Sequence, residues 1–336
     1  MNYDNKTKVL ITGAGGFLGS NIARILLQNP QYEIYSFSRS PHLFLDKMGV
    51  RQRLGDLRNY HDVLAALKDI DAVIHTASMV GMWGHYKAFY STNVLGTQNL
   101  LSAIKEHKIK KLVYTSTPSV AFDRDHLCGV DETTPMPKNY LTYYAQTKAM
   151  AEKLVIAAND STLSTVSLRP HLIFGPGDLN LIPRVIEAQK KGRLKIIGDG
   201  NNLVDVTYVE NAAMAHIIAL EQIHPAHAIA GKAYFLGQGP IKLWDFTNDI
   251  LARSGLPKVE KRISIKTAYC LGFIIECFLK LFRIYNIHPP MTRFIALQLG
   301  KSHYFSHKNL ENDLGFISQI SIEEGLDRLF SIDQPQ

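Results

Sequence analysis

One run of glycines, Thr12-Gly13-Ala14-Gly15-Gly16-Phe17-Leu18-Gly19, stands directly between an apolar stretch, Lys8–Thr12, and a segment of helical period, Phe17–Gln28. Nothing else in the chain restricts the fold as much. Closely spaced glycines let the backbone turn sharply and approach a ligand, and a helix that starts there offers free N–H groups and the positive end of its dipole. Position 18 is Leu, so the spacing is not G-x-G-x-x-G but T-G-x-x-G-x-x-G, carried by Gly13, Gly16 and Gly19. A strand, a glycine turn and a helix in that order open a βαβ unit whose turn suits a pyrophosphate.

The rest of the first half keeps that rhythm. Lys8–Thr12, Glu33–Ser38, Val50–Leu54, Ala72–Thr76, Lys111–Thr117 and Thr165–Arg169 read as strands, separated by helical patterns over Phe17–Gln28, Tyr60–Leu67, Tyr90–His107 and Leu141–Ala158. Strands alternating with helices predict an α/β fold with a doubly wound parallel sheet of the Rossmann type and right-handed crossovers. After residue 175 the pattern is broken by Gly175-Pro176-Gly177, Gly198-Asp199-Gly200 and Gly237-Gln238-Gly239-Pro240. Val204–Leu220 reads as a return to the first unit, a short strand and then a helix opening near Asn211. The expected division is a dinucleotide-binding domain over 1–175 plus 204–236, and a smaller mixed substrate lobe over 176–203 plus 237–330. The 336 residues are enough for both.

Cofactor selectivity is read at the end of the second strand, where a carboxylate would bond a ribose 2′-hydroxyl. Here the chain has Ser36-Phe37-Ser38-Arg39-Ser40, with no acid and with Arg39 able to take a 2′-phosphate, so NADP(H) is expected in preference to NAD(H). About 130 residues beyond the glycine turn, Tyr144-Ala145-Gln146-Thr147-Lys148 puts Tyr144 and Lys148 at i and i+4 on one helix face. A nearby ammonium favours the phenolate, which would bring a phenol down from about 10 toward the range useful for proton transfer. Thr117, at the end of the fifth strand, is placed to hold a substrate oxygen.

These residues together resemble an extended short-chain dehydrogenase/reductase of the 3β-hydroxysteroid dehydrogenase-like branch, over nearly the full length. Thr12–Gly19 resembles the cofactor loop and Asn93-Val94-Leu95-Gly96-Thr97 the N-V-x-G-T helix. Tyr114-Thr115-Ser116-Thr117 resembles the Y-T-S-[ST] strand end. Asp71–Ser78, Leu168-Arg169-Pro170, Phe174–Gly177 and Asp205–Asn211 fit the same pattern. The resemblance implies cofactor contacts from Gly13, Gly16, Phe17, Leu18, Gly19, Asp56, Leu57, Thr76, Ala77, Ser78, Asn93 and Pro170, besides Arg39, Tyr144 and Lys148. It implies a hydride transfer between ketone and secondary alcohol, with Thr117, Tyr144 and Lys148 as the catalytic group. Within the branch the chain resembles bacterial 2-alkyl-3-oxoalkanoate reductases through Gly81–Tyr86 and Tyr114–Val120. A nucleotide-sugar epimerase or dehydratase on the same fold, and a non-catalytic NADP(H)-binding sensor, are the alternatives.

Met82, Trp83, Thr117 and His171 are the residues expected at a small hydrophobic or lipid-like substrate. The histidines show no metal-ligand spacing, and no metal is expected. Three cysteines, Cys128, Cys270 and Cys277, form no C-x-x-C and fit a reducing compartment. The polar Met1–Lys6 has no apolar leader, and no stretch reaches the roughly 18 apolar residues of a membrane span, so a cytoplasmic protein is expected. The formal charge of +7 lies within 258–310, which holds nine Lys/Arg and two Glu. No basic stripe with interleaved aromatics accompanies it, which argues against nucleic acid. The same segment holds the apolar stretch Thr267–Tyr285, in which Glu276, Lys280 and Arg283 recur on one narrow face. A core helix, a lid over a lipid chain and a helix lying on a membrane surface all suit it, the last giving a peripheral membrane contact through 258–310. A homodimer is left open.

Overall fold

A computed structural model describes residues 6–331; the expectation about Met1–Lys6 falls almost wholly outside them. Strand β1 (Thr7–Thr12) shows why the central sheet is covered on both sides. Val9 and Ile11 belong to one apolar cluster and Leu10 to another, and all three are fully buried. Successive side chains of a strand point to opposite faces, so an unbroken apolar run needs two layers to receive it.

Six strands join β1 in parallel: β2 (Tyr32–Ser38), β3 (Arg51–Leu54), β4 (Ala72–His75), β5 (Lys111–Thr115), β6 (Ser164–Pro170) and β7 (Lys232–Leu236). Their order is β3-β2-β1-β4-β5-β6-β7. Helices α1 (Phe17–Leu26) and α4 (Val209–Gln222) cover one face through Leu18, Ile22, Leu26, Ala213, Ile217 and Leu220. Helices α2 (Gly96–Glu106) and α3 (Tyr143–Ala157) cover the other through Leu100, Ile104, Ala151 and Val155. The chain reverses its direction of travel across the sheet between β1 and β4, and the crevice at such a reversal is where this architecture binds ligands.

Three differences from the sequence reading bear on the site. Tyr90–His107 is not one helix: a wider, π-type turn over Tyr90–Leu95 precedes α2. The strand at Leu203–Tyr208 does not enter the central sheet, whose last place is taken by β7. It lies instead in a second, mixed sheet, antiparallel to Gln238–Lys242 and parallel to His303–Phe305 and Ile173–Phe174. The third is a strand no pattern announced, Leu127–Val130, which completes that sheet beside His303–Phe305.

Helix α5 (Ile265–Leu281) packs against α6 (Arg293–Gly300) through Ala268, Gly272, Glu276 and Leu279. A Cβ on Gly272 would lie 2.5 Å from the Thr292 carbonyl carbon, so glycine there lets the two segments close up. This closeness buries Glu276, and a buried carboxylate must be paired. It accepts from the Arg293 backbone N–H at 2.7 Å and from Arg293 Nε at 2.8 Å, not from Lys280 as the i, i+4 spacing suggested. The apolar residues Leu271, Phe273, Ile274, Phe278 and Leu281 face outward, the reverse of a core helix. No helix among the described residues is long and apolar enough to cross a membrane.

Candidate active site

The glycine turn leaves β1 and enters α1 with no room to spare. Gly13 has φ +75°, and a Cβ there would meet Ala77 N and Thr76 Oγ1 at 2.8 Å; on Gly19 it would meet the Gly13 carbonyl oxygen at 2.3 Å. Gly16 caps α1, donates its N–H to the Gly13 carbonyl at 2.9 Å and supplies no side-chain cap to the first turn. The amides that open at Phe17 and Leu18 therefore keep their donors and dipole for an anion, which is the fit a dinucleotide pyrophosphate needs. His42 has no sequence signature, yet its ring lies against Gly15, where a Cβ would come within 2.2 Å of Nε2. Gln52 fixes that loop by bonding both the N–H and the carbonyl of His42.

A buried clasp ties this turn to the end of β4. The Thr97 hydroxyl donates to the Asn93 carbonyl at 2.7 Å, so it accepts from His75 Nε2–H at 3.1 Å. His75 Nδ1 then accepts from the Thr12 hydroxyl at 2.6 Å, which itself accepts from Ala77 N–H. Burial, with Lys148 nearby, holds the His75 imidazole down at about 3, so it stays neutral at working pH. Thr76 adds a bond from Oγ1 to the Thr12 carbonyl, and Ser78 follows in the same loop. Asn93, turned by the π-type backbone, exchanges bonds with Met79 N–H and carbonyl and donates to Thr147 Oγ1 on α3. One amide thus fixes the loop after β4 to the helix that carries Tyr144.

Arg39 is exposed just beyond β2. Asp56 follows β3, and its carboxyl is held below the usual range chiefly by Arg58, which grips both oxygens, with Arg39 contributing. The Leu57 carbonyl accepts from Asn99 Nδ2 at 2.8 Å, anchoring this turn to α2.

Thr117 lies two residues past β5, buried, its Oγ1 accepting from Ser119 N–H at 3.3 Å. It also donates to Ser119 Oγ at 3.2 Å and lies close enough to Tyr144 on α3 to favour the phenolate. Lys148, one turn on, is buried and donates to the Thr115 carbonyl at 2.6 Å, its Nζ 4.1 Å from the centre of the Tyr114 ring. The structure therefore brings all three to the carboxyl end of β5. The electrostatics differ from the sequence expectation: burial pushes Tyr144 up to about 12, only partly offset by Thr117, and pulls Lys148 down to about 7. Desolvation disfavours both charged forms, and the offsets come from Thr117 and Glu152 rather than from each other.

Glu152, unremarked in the sequence reading, keeps Lys148 from falling further. It is fully buried and grips Arg169 of β6 with two bonds, 2.9 Å from Nε and 2.6 Å from Nη2. That guanidinium lies 4.9 Å from the Phe235 ring centre. The available signal was spacing, since Glu152 stands at i+4 from Lys148.

Pro170 ends β6, buried beside Leu236 of β7. His171 turns away into the second sheet: its Nε2 shares a 2.7 Å bond with His303 Nδ1, and His303 Nε2 donates to the Gln298 carbonyl. Burial holds its imidazole well below its ordinary value. Met82 joins an apolar cluster with Phe122, Phe294 and Leu297. Trp83 donates from Nε1 to the Ile284 carbonyl at 2.8 Å and stacks on Tyr285, so the loop after β4 is tied to the end of α5.

Comparison with known proteins gives the family and the fold. The model of the 3-beta hydroxysteroid dehydrogenase/isomerase family matches residues 10–266. A 2-alkyl-3-oxoalkanoate reductase of Stenotrophomonas maltophilia is 46% identical over 326 residues, 96% of this chain and 98% of its own. The mouse decarboxylating sterol-4-alpha-carboxylate 3-dehydrogenase is 32% identical, over 96% of this chain and 89% of its own. Among solved structures, the UDP-glucuronic acid 4-epimerase of Bacillus cereus with NAD superposes with a TM-score of 0.73 at 22% identity, covering 97% and 98% of the two chains, a likeness of fold.

Proposed function

The chain belongs to the 3-beta hydroxysteroid dehydrogenase/isomerase family, and from that premise we propose that it interconverts a ketone and a secondary alcohol on a hydrophobic, lipid-like acid of the 2-alkyl-3-oxoalkanoate kind, using NADP(H) in preference to NAD(H). It is an oxidoreductase of the extended short-chain dehydrogenase/reductase type with a nicotinamide-cofactor fold. The observation that carries the finer reading is the end-to-end likeness to a reductase of that name at 46% identity.

A bound nicotinamide would supply the hydride for the carbonyl carbon. The glycine turn and the open end of α1 would hold the pyrophosphate, and Arg39 would meet the 2′-phosphate. Thr117 donates to the substrate carbonyl oxygen. Tyr144, protonated through the working range, gives its proton to the alkoxide as charge develops there. Lys148 would hold the ribose hydroxyls and, when charged, steady the phenolate left behind.

NADPH consumption assayed against a 2-alkyl-3-oxo acid, a 3-ketosteroid and a UDP-sugar checks the substrate class. Turnover is expected on the first; activity confined to the sugar nucleotide would refute the reading. The Arg39→Asp variant is expected to lose about 10- to 100-fold in kcat/KM for NADPH, the worth of one charge-assisted contact, while NADH improves. Equal use of both cofactors by the unaltered chain removes the basis for the assignment.

A further inference from the structure

Helix α5 presents its apolar residues to water and its one acid to the protein. Ala268, Gly272, Glu276 and Leu279 fill the buried side. Opposite them stand Leu271, Ile274, Phe278 and Leu281, of which Ile274 is 63% and Leu281 77% exposed, and Phe282 continues the patch at 58%. No charged residue interrupts this face, because Glu276 is turned inward to Arg293. A contiguous apolar patch on a soluble surface marks an interaction site.

The surrounding charge says what the partner is. Lys258, Lys261, Arg262, Lys266, Lys280 and Arg283 are all exposed on or beside α5. Since Glu276 is already paired, Glu260 is the only acid set against them within this segment. A second copy laid face to face would bring two such clusters together unopposed, whereas anionic headgroups would neutralise them. The helix has 17 residues, about 25 Å at 1.5 Å per residue, less than the roughly 30 Å hydrocarbon core of a bilayer. Its geometry suits lying in the interface, apolar face down.

We infer that α5 docks the protein on an anionic phospholipid bilayer, with Leu271, Ile274, Phe278, Leu281 and Phe282 inserted among the acyl chains and the flanking lysines and arginines on the headgroups. Just past α5, Ile284 and Tyr285 receive Trp83 of the loop after β4, so docking would bring that loop close to the membrane. The docking itself does not depend on which ketone is reduced.

Sedimentation of the full chain with vesicles tests this. Binding is expected to vesicles of about 30% phosphatidylglycerol in phosphatidylcholine and at least tenfold more weakly to phosphatidylcholine alone, with a similar loss at high salt. The Ile274→Ser/Phe278→Ser/Leu281→Ser variant is expected to lose at least about tenfold in partitioning, and Lys266→Glu/Lys280→Glu to lose most of the salt-sensitive part. The cysteines give a readout that needs no variant. Cys270 and Cys277 lie on α5 and Cys128 lies elsewhere, all three exposed. Maleimide labelling of the first two should slow severalfold on anionic vesicles while Cys128 is unaffected. No binding, equal binding to neutral vesicles, or labelling unchanged by vesicles overturns the proposal. So does protection of Cys270 and Cys277 without lipid in a chain of doubled molar mass, which would give the face to a second copy.

Discussion

Tyr144→Phe is expected to lower kcat by about 10²- to 10⁴-fold, the usual contribution of a positioned proton donor, with little change in cofactor affinity or melting temperature. The substitution removes one hydroxyl beside Thr117 and leaves the ring and α3 in place. The pH dependence should then separate the two directions. With the phenol pushed up to about 12, Tyr144 is protonated throughout the working range, so ketone reduction has its donor at every pH tested. Alcohol oxidation needs the phenolate, whose fraction rises tenfold per pH unit below about 12, so oxidation should climb with pH where reduction does not. Steady-state kinetics in both directions on the two proteins check this; near-normal turnover in the variant would show that the proton comes from elsewhere.

Glu152→Ala is expected to cost about 3–5 kcal/mol of stability, the effect of leaving a buried charge without its partner. Arg169 would keep its cation in a site where, among the described residues, Nη1 already has no acceptor and the Phe235 face is its other support. A fall in Tm of roughly 10 °C in a thermal melt corresponds to this range. The variant should also change the pH profile. Glu152 favours the Lys148 ammonium, so without it the lysine drops below about 7 and is largely neutral at pH 7.5. Activity should therefore fall more at pH 7.5 than at pH 6. Replacing both partners with apolar residues, Glu152→Leu/Arg169→Met, is expected to restore most of the stability but not the pH profile. A melt of Glu152→Ala within 2 °C of the original would contradict the account.

What was legible in the sequence was whatever depends on local spacing. The glycine turn, six of the central strands and the face shared by Tyr144 and Lys148 follow from periods of two and 3.6 and from where glycine is indispensable. What was not legible depends on neighbours far along the chain. Leu127–Val130 has no alternating pattern and is a strand only because His303–Phe305 lies beside it. Glu276 stood at the right spacing for Lys280, but the close approach at Gly272 buried it and gave it to Arg293. The acidity of Tyr144 was misjudged for the same reason: spacing showed the nearby amine but not the desolvation that outweighs it. His171 illustrates the reverse case, a residue whose place after β6 suggested the substrate and whose partner, His303, is 132 positions away.

The second sheet takes its strands from Leu127–Val130, Ile173–Phe174, Leu203–Tyr208, Gln238–Lys242 and His303–Phe305, so the chain must pass back and forth between the two sheets several times. A part stitched in this way cannot be lifted out and exchanged as a cassette. Lineages that take new substrates on this plan must do so by reshaping the loops and helices hung from the sheet, such as Met79–Tyr86 and α5, while the seams stay put. The plan couples inheritance of the central sheet to inheritance of the second sheet, and leaves variation to the rim.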